Sequence, residues 1–426
     1  MGRVARLLAA VTAGFCLLTS CTSFSAIEGV RSQGSGSSPG NDLRELLLVD
    51  EGNGISAIDP TTGSKFFDAH KGITSPGTSF LYEWSRGNSS PVATTLDPST
   101  GEALQRAPLP PSLELRVASA SGDLLALTEP YEGGATAWLP AGKRHTQVAV
   151  VSTGGEHDAR EFNLKGNFEI EAFSTDDRQL FLLEYMPAMN PTHYELRRLD
   201  LQSGSVRDID PPKQNAPERM RGTGRVQIFS PSGDELYTLY TQQGPNYEHG
   251  DGSIEHEPGQ THAFVHLLNL DGAWTHCIDL PMPFGTGSVT THALAVSPDG
   301  ERLYVADPSS GGLALINPES FKVVTTVTMD LRSLKSGSAS AQVAPDGTLY
   351  LAGGSQVLAI DGESLKVLHR WNTAKPVSGL AVSSDGRRLY VSFPNKLAVL
   401  DATTGERMRT FAAPGVQGIM RLEDQA

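Results

Sequence analysis

Leu294-Ala-Val-Ser-Pro-Asp-Gly-Glu-Arg-Leu-Tyr-Val305 decides the fold. An apolar run leads into a Ser-Pro-Asp-Gly turn, and a second, alternating run leaves it. The same phrase returns as Leu380-Ala-Val-Ser-Ser-Asp-Gly-Arg-Arg-Leu-Tyr-Val391, and in weaker form as Gln342-Val-Ala-Pro-Asp-Gly-Thr-Leu-Tyr-Leu351. A hairpin recurring about every 40 residues, with four short strands to the unit, predicts a β-propeller.

Working outward, eight units are recognised by the end of their third strand, usually an Asp followed by a Ser/Thr/Gly turn. Examples are Ile58-Asp-Pro-Thr-Thr-Gly63, Leu96-Asp-Pro-Ser-Thr-Gly101, Leu270-Asp-Gly272 and Leu400-Asp-Ala-Thr-Thr-Gly405. The carboxylate is suited to capping its own turn, and Gly supplies the positive φ that closes it. In the first hairpins, Ser174-Thr-Asp-Asp177 sets Asp177 where other copies have Gly. Asp tolerates that conformation better than most residues. Units one and two lack a first hairpin, while Val416-Gln-Gly-Ile-Met-Arg-Leu422 is left over at the other end. A ring has no free edges only if its ends meet in one blade. The leftover segment is therefore expected to close the ring as the inner strand of blade one. Eight blades follow, or seven if units one and two merge. No long amphipathic helical window interrupts residues 43–426, so the body is expected to be all-β.

The repeats from Leu294 to Phe411 resemble the YVTN-type β-propeller repeats of bacterial surface proteins and of the quinoprotein amine dehydrogenase heavy-chain group. The shared residues are turn formers and core apolars, so the resemblance implies a propeller, a fold that hosts unrelated functions. Quinoproteins with a cofactor inside the propeller carry repeated Trp motifs. Here Trp84, Trp138, Trp274 and Trp371 share no context, and no cofactor is expected.

Arg3 and Arg6 precede a mostly apolar run from Leu7 to Leu18, too short to span a bilayer but suited to a signal peptide. It ends in Leu18-Thr19-Ser20-Cys21, which resembles the lipobox of bacterial lipoproteins. That resemblance implies residues 1–20 as a signal peptide and Cys21 as the acylated N-terminus. Residues 21–42, with Arg31-Ser-Gln-Gly-Ser-Gly-Ser-Ser-Pro-Gly40, are expected to be a flexible tether. The G-x-S-x-G inside it has neither a strand before it nor a helix after it, so it is no nucleophile elbow. The expected address is the extracytoplasmic side of the cell membrane, reached by the lipid alone. Loss of residues 1–20 removes two arginines and no acids, taking the net charge from -14 to -16. Such an acidic chain excludes nucleic acid as a partner. Cys277 is then the one cysteine left besides Cys21, and no intrachain disulfide is expected.

A four-stranded meander puts its first and third turns on one face. Its middle loops and blade-to-blade crossings lie on the other. The turns on the first face are short throughout. The long insertions, 129–146, 185–193, 241–261 and the crossing 210–224, all belong to the second. Insertions gathered on one face mark a binding side. Tyr131, Trp138, Tyr185, Met186, Met189 and Tyr247 lie in them and suit recognition. The polar cluster Tyr247-Glu-His249-Gly-Asp251-Gly-Ser-Ile-Glu255-His256-Glu257 matches no metal-ligand spacing, and a solvated acidic loop is expected rather than a metal site. His249, Asp251 and His256 remain binding candidates. His292, just before an inner strand, is expected as a satisfied histidine at the channel rim. The expected function is non-catalytic binding of an unknown protein or small molecule by a monomeric propeller. The alternatives are a hydrolase or lactonase with its site at the channel mouth, and a non-catalytic subunit of a redox complex.

Overall fold

The computed structural model describes residues 44–425, apart from 53, 77–79, 86–90, 131–139, 156–158, 210–219, 221–223, 242–245, 249–253, 257–262, 286–290 and 331–337. Eight four-stranded antiparallel sheets form the ring, the eight-bladed all-β propeller that the repeats predict. Strands are lettered A to D outward from the axis. Blade six shows the pattern with Ala293–Val296, Leu303–Asp307, Gly312–Asn317 and Lys322–Thr328. Blades two to five occupy 73–108, 114–165, 167–208 and 224–280, and blades seven and eight occupy 340–372 and 379–412.

Blade one joins the two ends of the chain. Its A strand is Gly418–Gln425 and its B strand is Arg44–Asp50, paired antiparallel with Leu47 opposite Leu422 and Arg44 opposite Gln425. Gly54–Ile58 and Lys65–His70 complete it. The expected closure by the C-terminal segment is observed, beginning two residues later and running further than the sequence suggested. Blade two has an inner strand after all, but one of two residues, Ile73–Thr74, paired with Leu81 and Tyr82. Such a stub leaves no periodicity to read.

The A–B turns carry their sequence logic into geometry. Ser297 Oγ accepts from Arg302 N at 2.9 Å, and Asp299 accepts from Glu301 N at 3.0 Å. Asp177 holds φ 58° in place of a glycine. The C–D turns are capped as expected by Asp59, Asp97, Asp200, Asp361 and Asp401. In blade five the cap is Asn269, which accepts from Gly272 N at 2.6 Å, rather than the expected Asp271.

Blades are joined by two recurring contacts. The tyrosine of the Leu-Tyr-Val strand reaches into the next blade: Tyr82 donates to Gly122 O at 2.9 Å, Tyr304 to Gly362 O at 2.9 Å and Tyr350 to Ala402 O at 3.1 Å. At the ring junction Tyr390 donates instead to the carboxylate of Glu45, which also accepts from Ser384 and pairs with Arg388. Outer-strand aromatics cover the next C–D turn. A Cβ at Gly405 would lie 2.3 Å from Trp371, and φ there is +70°, so only glycine fits.

Deleting 416–426 strips the inner strand from blade one and uncovers Leu47 and Val49, which share a core cluster with Ile419. The truncated chain is expected to aggregate or to melt several degrees below the full chain. Scanning calorimetry of the two decides, and equal melting points would show that the closure adds nothing.

Candidate functional site

The antiparallel meander sets the A–B and C–D turns on one face and the B–C loops and D–A crossings on the other. The A–B and C–D turns are tight in every blade where they are described. Arg44 and Gln425, where the propeller's first and last strands begin and end, also lie on that short-turn face, because they stand where blade one would have its A–B turn.

On the long-loop face, blades three and four share their loops. Lys143 N donates to Ala188 O at 3.0 Å, and Asn167 Nδ2 donates to Ala141 O at 3.0 Å and to Ala188 O at 3.3 Å. Gly142 abuts the backbone of Met189, where a Cβ would come within 2.0 Å of its carbonyl oxygen. The blade-four loop is shorter than expected, 187–192, since the strands run to Met186 and from His193. Beneath it Arg197 binds Glu184 and Glu195, each at 2.8 Å, with Asp208 at 3.4 Å. Burial pulls the guanidinium down, but these carboxylates outweigh it and hold it above its ordinary value. The loop therefore stands on a rigid, charge-satisfied base.

Of the expected anchors, Met189 is exposed at 47%, and Met186 is half-buried with its sulfur 3.9 Å from Arg197 Nη2. Tyr185 is not a loop residue. It is buried in a strand, donates to Glu169, and its ring lies 5.5 Å from Tyr194. Tyr240 and Phe264 of blade five continue that aromatic row. Tyr185 supports the loop from below and presents no surface of its own. Its alternation with Phe181 and Leu183, which share its core cluster, was the available signal.

In blade five the segment expected to be a plain loop contains a hairpin of Asn246–Glu248 and Ile254–His256, with Tyr247 opposite Glu255 and Asn246 opposite His256. Tyr131, Trp138, His249 and Asp251, together with Cys21, lie outside the described residues. Among the described residues no group of three His, Cys, Asp or Glu side chains is placed to hold a metal. Met282, exposed on the crossing from blade five to six, was not singled out by sequence; the flanking Pro281 and Pro283 were its signal.

His292 is buried rather than open to the channel. Its Nε2 faces Asp307 Oδ2 at 3.2 Å, off the hydrogen-bond axis. Asp307 accepts from Gly285 N at 3.2 Å and from Ser309 N at 3.0 Å. Burial raises this carboxyl, but His292 and the Ser309 and Ser310 donors prevail and hold it well below the usual carboxylate range. The pair clasps the crossing onto the B–C turn of blade six. The pair is buried away from solvent, but neither ring nitrogen of His292 has a hydrogen-bond partner among the described residues, so the satisfied rim histidine that was expected is not found.

No protein-family model matches the chain, and no curated protein matches it. Its likeness is to solved structures. Apo AztD from Citrobacter koseri superposes with a TM-score of 0.54 at 14% identity, over 90% of this chain and 99% of that one. A second Citrobacter koseri AztD structure gives 0.55 at 14%, over 90% and 98%. Dihydro-heme d1 dehydrogenase NirN in complex with DHE gives 0.53 at 15%, over 93% of this chain and 77% of that one. The chain is thus a β-propeller protein. At such identities the likeness speaks for fold alone.

His266 lies in the core beside Tyr240, and burial, aided by His276, lowers its pKa to about 4 from 6.5. Between those values the unfolded chain takes up a proton that the fold refuses. Stability is therefore complete above pH 6.5 and is lost as the pH falls toward 4, by up to roughly 3 kcal/mol. Urea unfolding of His266→Phe is expected to show a flatter decline over that window. An unchanged pH profile would refute the assignment.

Proposed function

We propose that the protein is a lipid-anchored, extracytoplasmic propeller of the YVTN-repeat kind. It binds another molecule on its long-loop face and does no chemistry itself. The observation that carries this reading is the one-sidedness of the elaboration. Turns are tight on one face, while the other bears the fused loops of blades three and four and the added hairpin of blade five. Loops held on rigid strands are where binding concentrates. The exposed Met189 supplies an adaptable apolar contact, and Tyr131, Trp138 and Tyr247 supply the aromatic anchors that dominate interfaces. His249, Asp251 and His256, near Tyr247 in sequence, are the polar contacts of this reading.

Cys21 is the acylation site in this reading, and the chain is held at the membrane by it. Cys21→Ala is expected to abolish incorporation of labelled fatty acid, whereas normal labelling of that variant would remove the anchor.

Crosslinking pull-down from native membranes identifies the partner, and substitutions then locate it. Trp138→Ala and Tyr247→Ala are each expected to weaken capture by about 1–2 kcal/mol with melting unchanged. Glu301→Ala and Arg387→Ala, on the short-turn face, are expected to leave capture intact. The opposite pattern, or unfolding of the aromatic variants, would mean that the loops are packing and not recognition.

A further inference from the structure

Blades six, seven, eight, one and two, consecutive around the closed ring, share one irregularity. In each, the D strand carries one extra residue next to its C–D turn, unopposed by any partner on strand C. The ladder passes from Ala57↔Phe67 to Ile58↔Lys65, skipping Phe66. In the same way it skips Leu104, Val324, Leu368 and Met408. Blades three, four and five pair strands C and D without a shift. Every skipped residue is a large apolar one, and all are exposed, by 42 to 58%. Single exposed apolar side chains need no explanation, but five at one structural position form an apolar arc.

The arc has a companion charge. The five D strands hold Lys65, Arg106, Lys322, Arg370, Arg407 and Arg409 against the single acid Asp68, in a chain of net charge -14. The cations are densest where Arg407 and Arg409 flank Met408 and Arg370 follows Leu368. Lys65, beside Phe66, is shared with Glu51 and Asp68. A bulged edge resists the addition of another strand, which argues against a second copy pairing there. Apolar side chains among arginines on an otherwise acidic protein suit an anionic lipid surface. The chain also enters the ring at Arg44 in blade one, inside this sector, where the tether expected at 21–42 joins the body.

We propose that the outer edge of blades seven, eight and one docks against an anionic bilayer. Leu368, Met408 and Phe66 enter the interface, while Arg370, Arg407 and Arg409 meet the headgroups. Docking is edge-on because the exposed apolar side chains stand on the D strands, whereas the turns of the short-turn face mix acids such as Asp299, Glu301 and Asp385 with Arg302, Arg387 and Arg388. In an eight-bladed ring, blades three, four and five lie across the axis from seven, eight and one. The long loops are thereby held farthest from the membrane, open to a partner in the aqueous compartment. The inference rests on the lipid-anchored reading for the nearness of a bilayer, but its test does not use the lipid.

The mature chain from Cys21, left unacylated, is sedimented with vesicles of equal phosphatidylglycerol and phosphatidylcholine, and with phosphatidylcholine alone. Binding to the anionic vesicles alone is expected, weakening with salt. Arg407→Gln/Arg409→Gln is expected to reduce it on the order of tenfold or more. Leu368→Ser/Met408→Ser is expected to reduce it as well, with melting unchanged because both residues are exposed. Leu104→Ser/Val324→Ser, outside the docking edge, is expected to bind as the parent does. Failure of the parent to bind anionic vesicles overturns the proposal. So does undiminished binding by both edge variants, or a dimer in gel filtration that the edge variants dissociate while vesicle binding persists. Fatty-acid labelling at Cys21 is scored separately, so loss of the anchor and loss of the docking edge are told apart.

Discussion

The pairing of Gly418–Gln425 with Arg44–Asp50 is the constraint on which the rest of the structure depends. Seven blades are each drawn from one continuous stretch and need only local turns. Blade one needs the two ends of the chain to meet, at the cost of closing a loop of the whole domain. What offsets that cost is visible around the junction. Leu47, Val49 and Ile419 share a core with Tyr390 and Leu397 of blade eight. Glu45 is buried among Tyr390, Ser384 and Arg388. A buried carboxylate is tolerated only when its oxygens are satisfied, and these three donors satisfy them. The junction is thus specified by charge and hydrogen bonding as well as by apolar area.

Closure also decides what each face can do. Because the ends replace the A–B turn of blade one, they emerge on the short-turn face, and the opposite face is left to the loops. The interblade contacts keep that geometry fixed. Tyr304 and Tyr350 reach backbone carbonyls of the following blade, and Trp371 lies over Gly405 so tightly that no other residue fits there. A ring built this way is close-packed and stiff, and blades three, four and five keep the same four-stranded order as the others.

Much of this was legible in the sequence, because the turn chemistry is local. Ser-x-Asp-Gly and the Asp caps encode their own conformations within a few residues, and Asp177 was readable as a glycine substitute for the same reason. The leftover apolar segment pointed to the closure through counting alone. Contacts between distant segments were not legible: nothing near Glu45 announces Tyr390, and nothing near Asp307 announces its bond from Gly285. Tyr185 was misplaced because its neighbourhood of Met and Pro looks like a loop, although the period of two continues through it. The bulges left a trace in the apolar doublets Phe66-Phe67, Val323-Val324 and Val367-Leu368. A regular strand alternates, and a doublet is where one residue falls out of register.

Amide hydrogen exchange measures the closure most directly. If Gly418–Gln425 is an integral inner strand, its paired amides exchange only with global unfolding, as slowly as those of Leu47 and Leu48 opposite and of Leu125 to Leu127 in blade three. Exchange of the 418–425 amides within seconds, while the other strands stay protected, would contradict the closure and with it the placement of both faces.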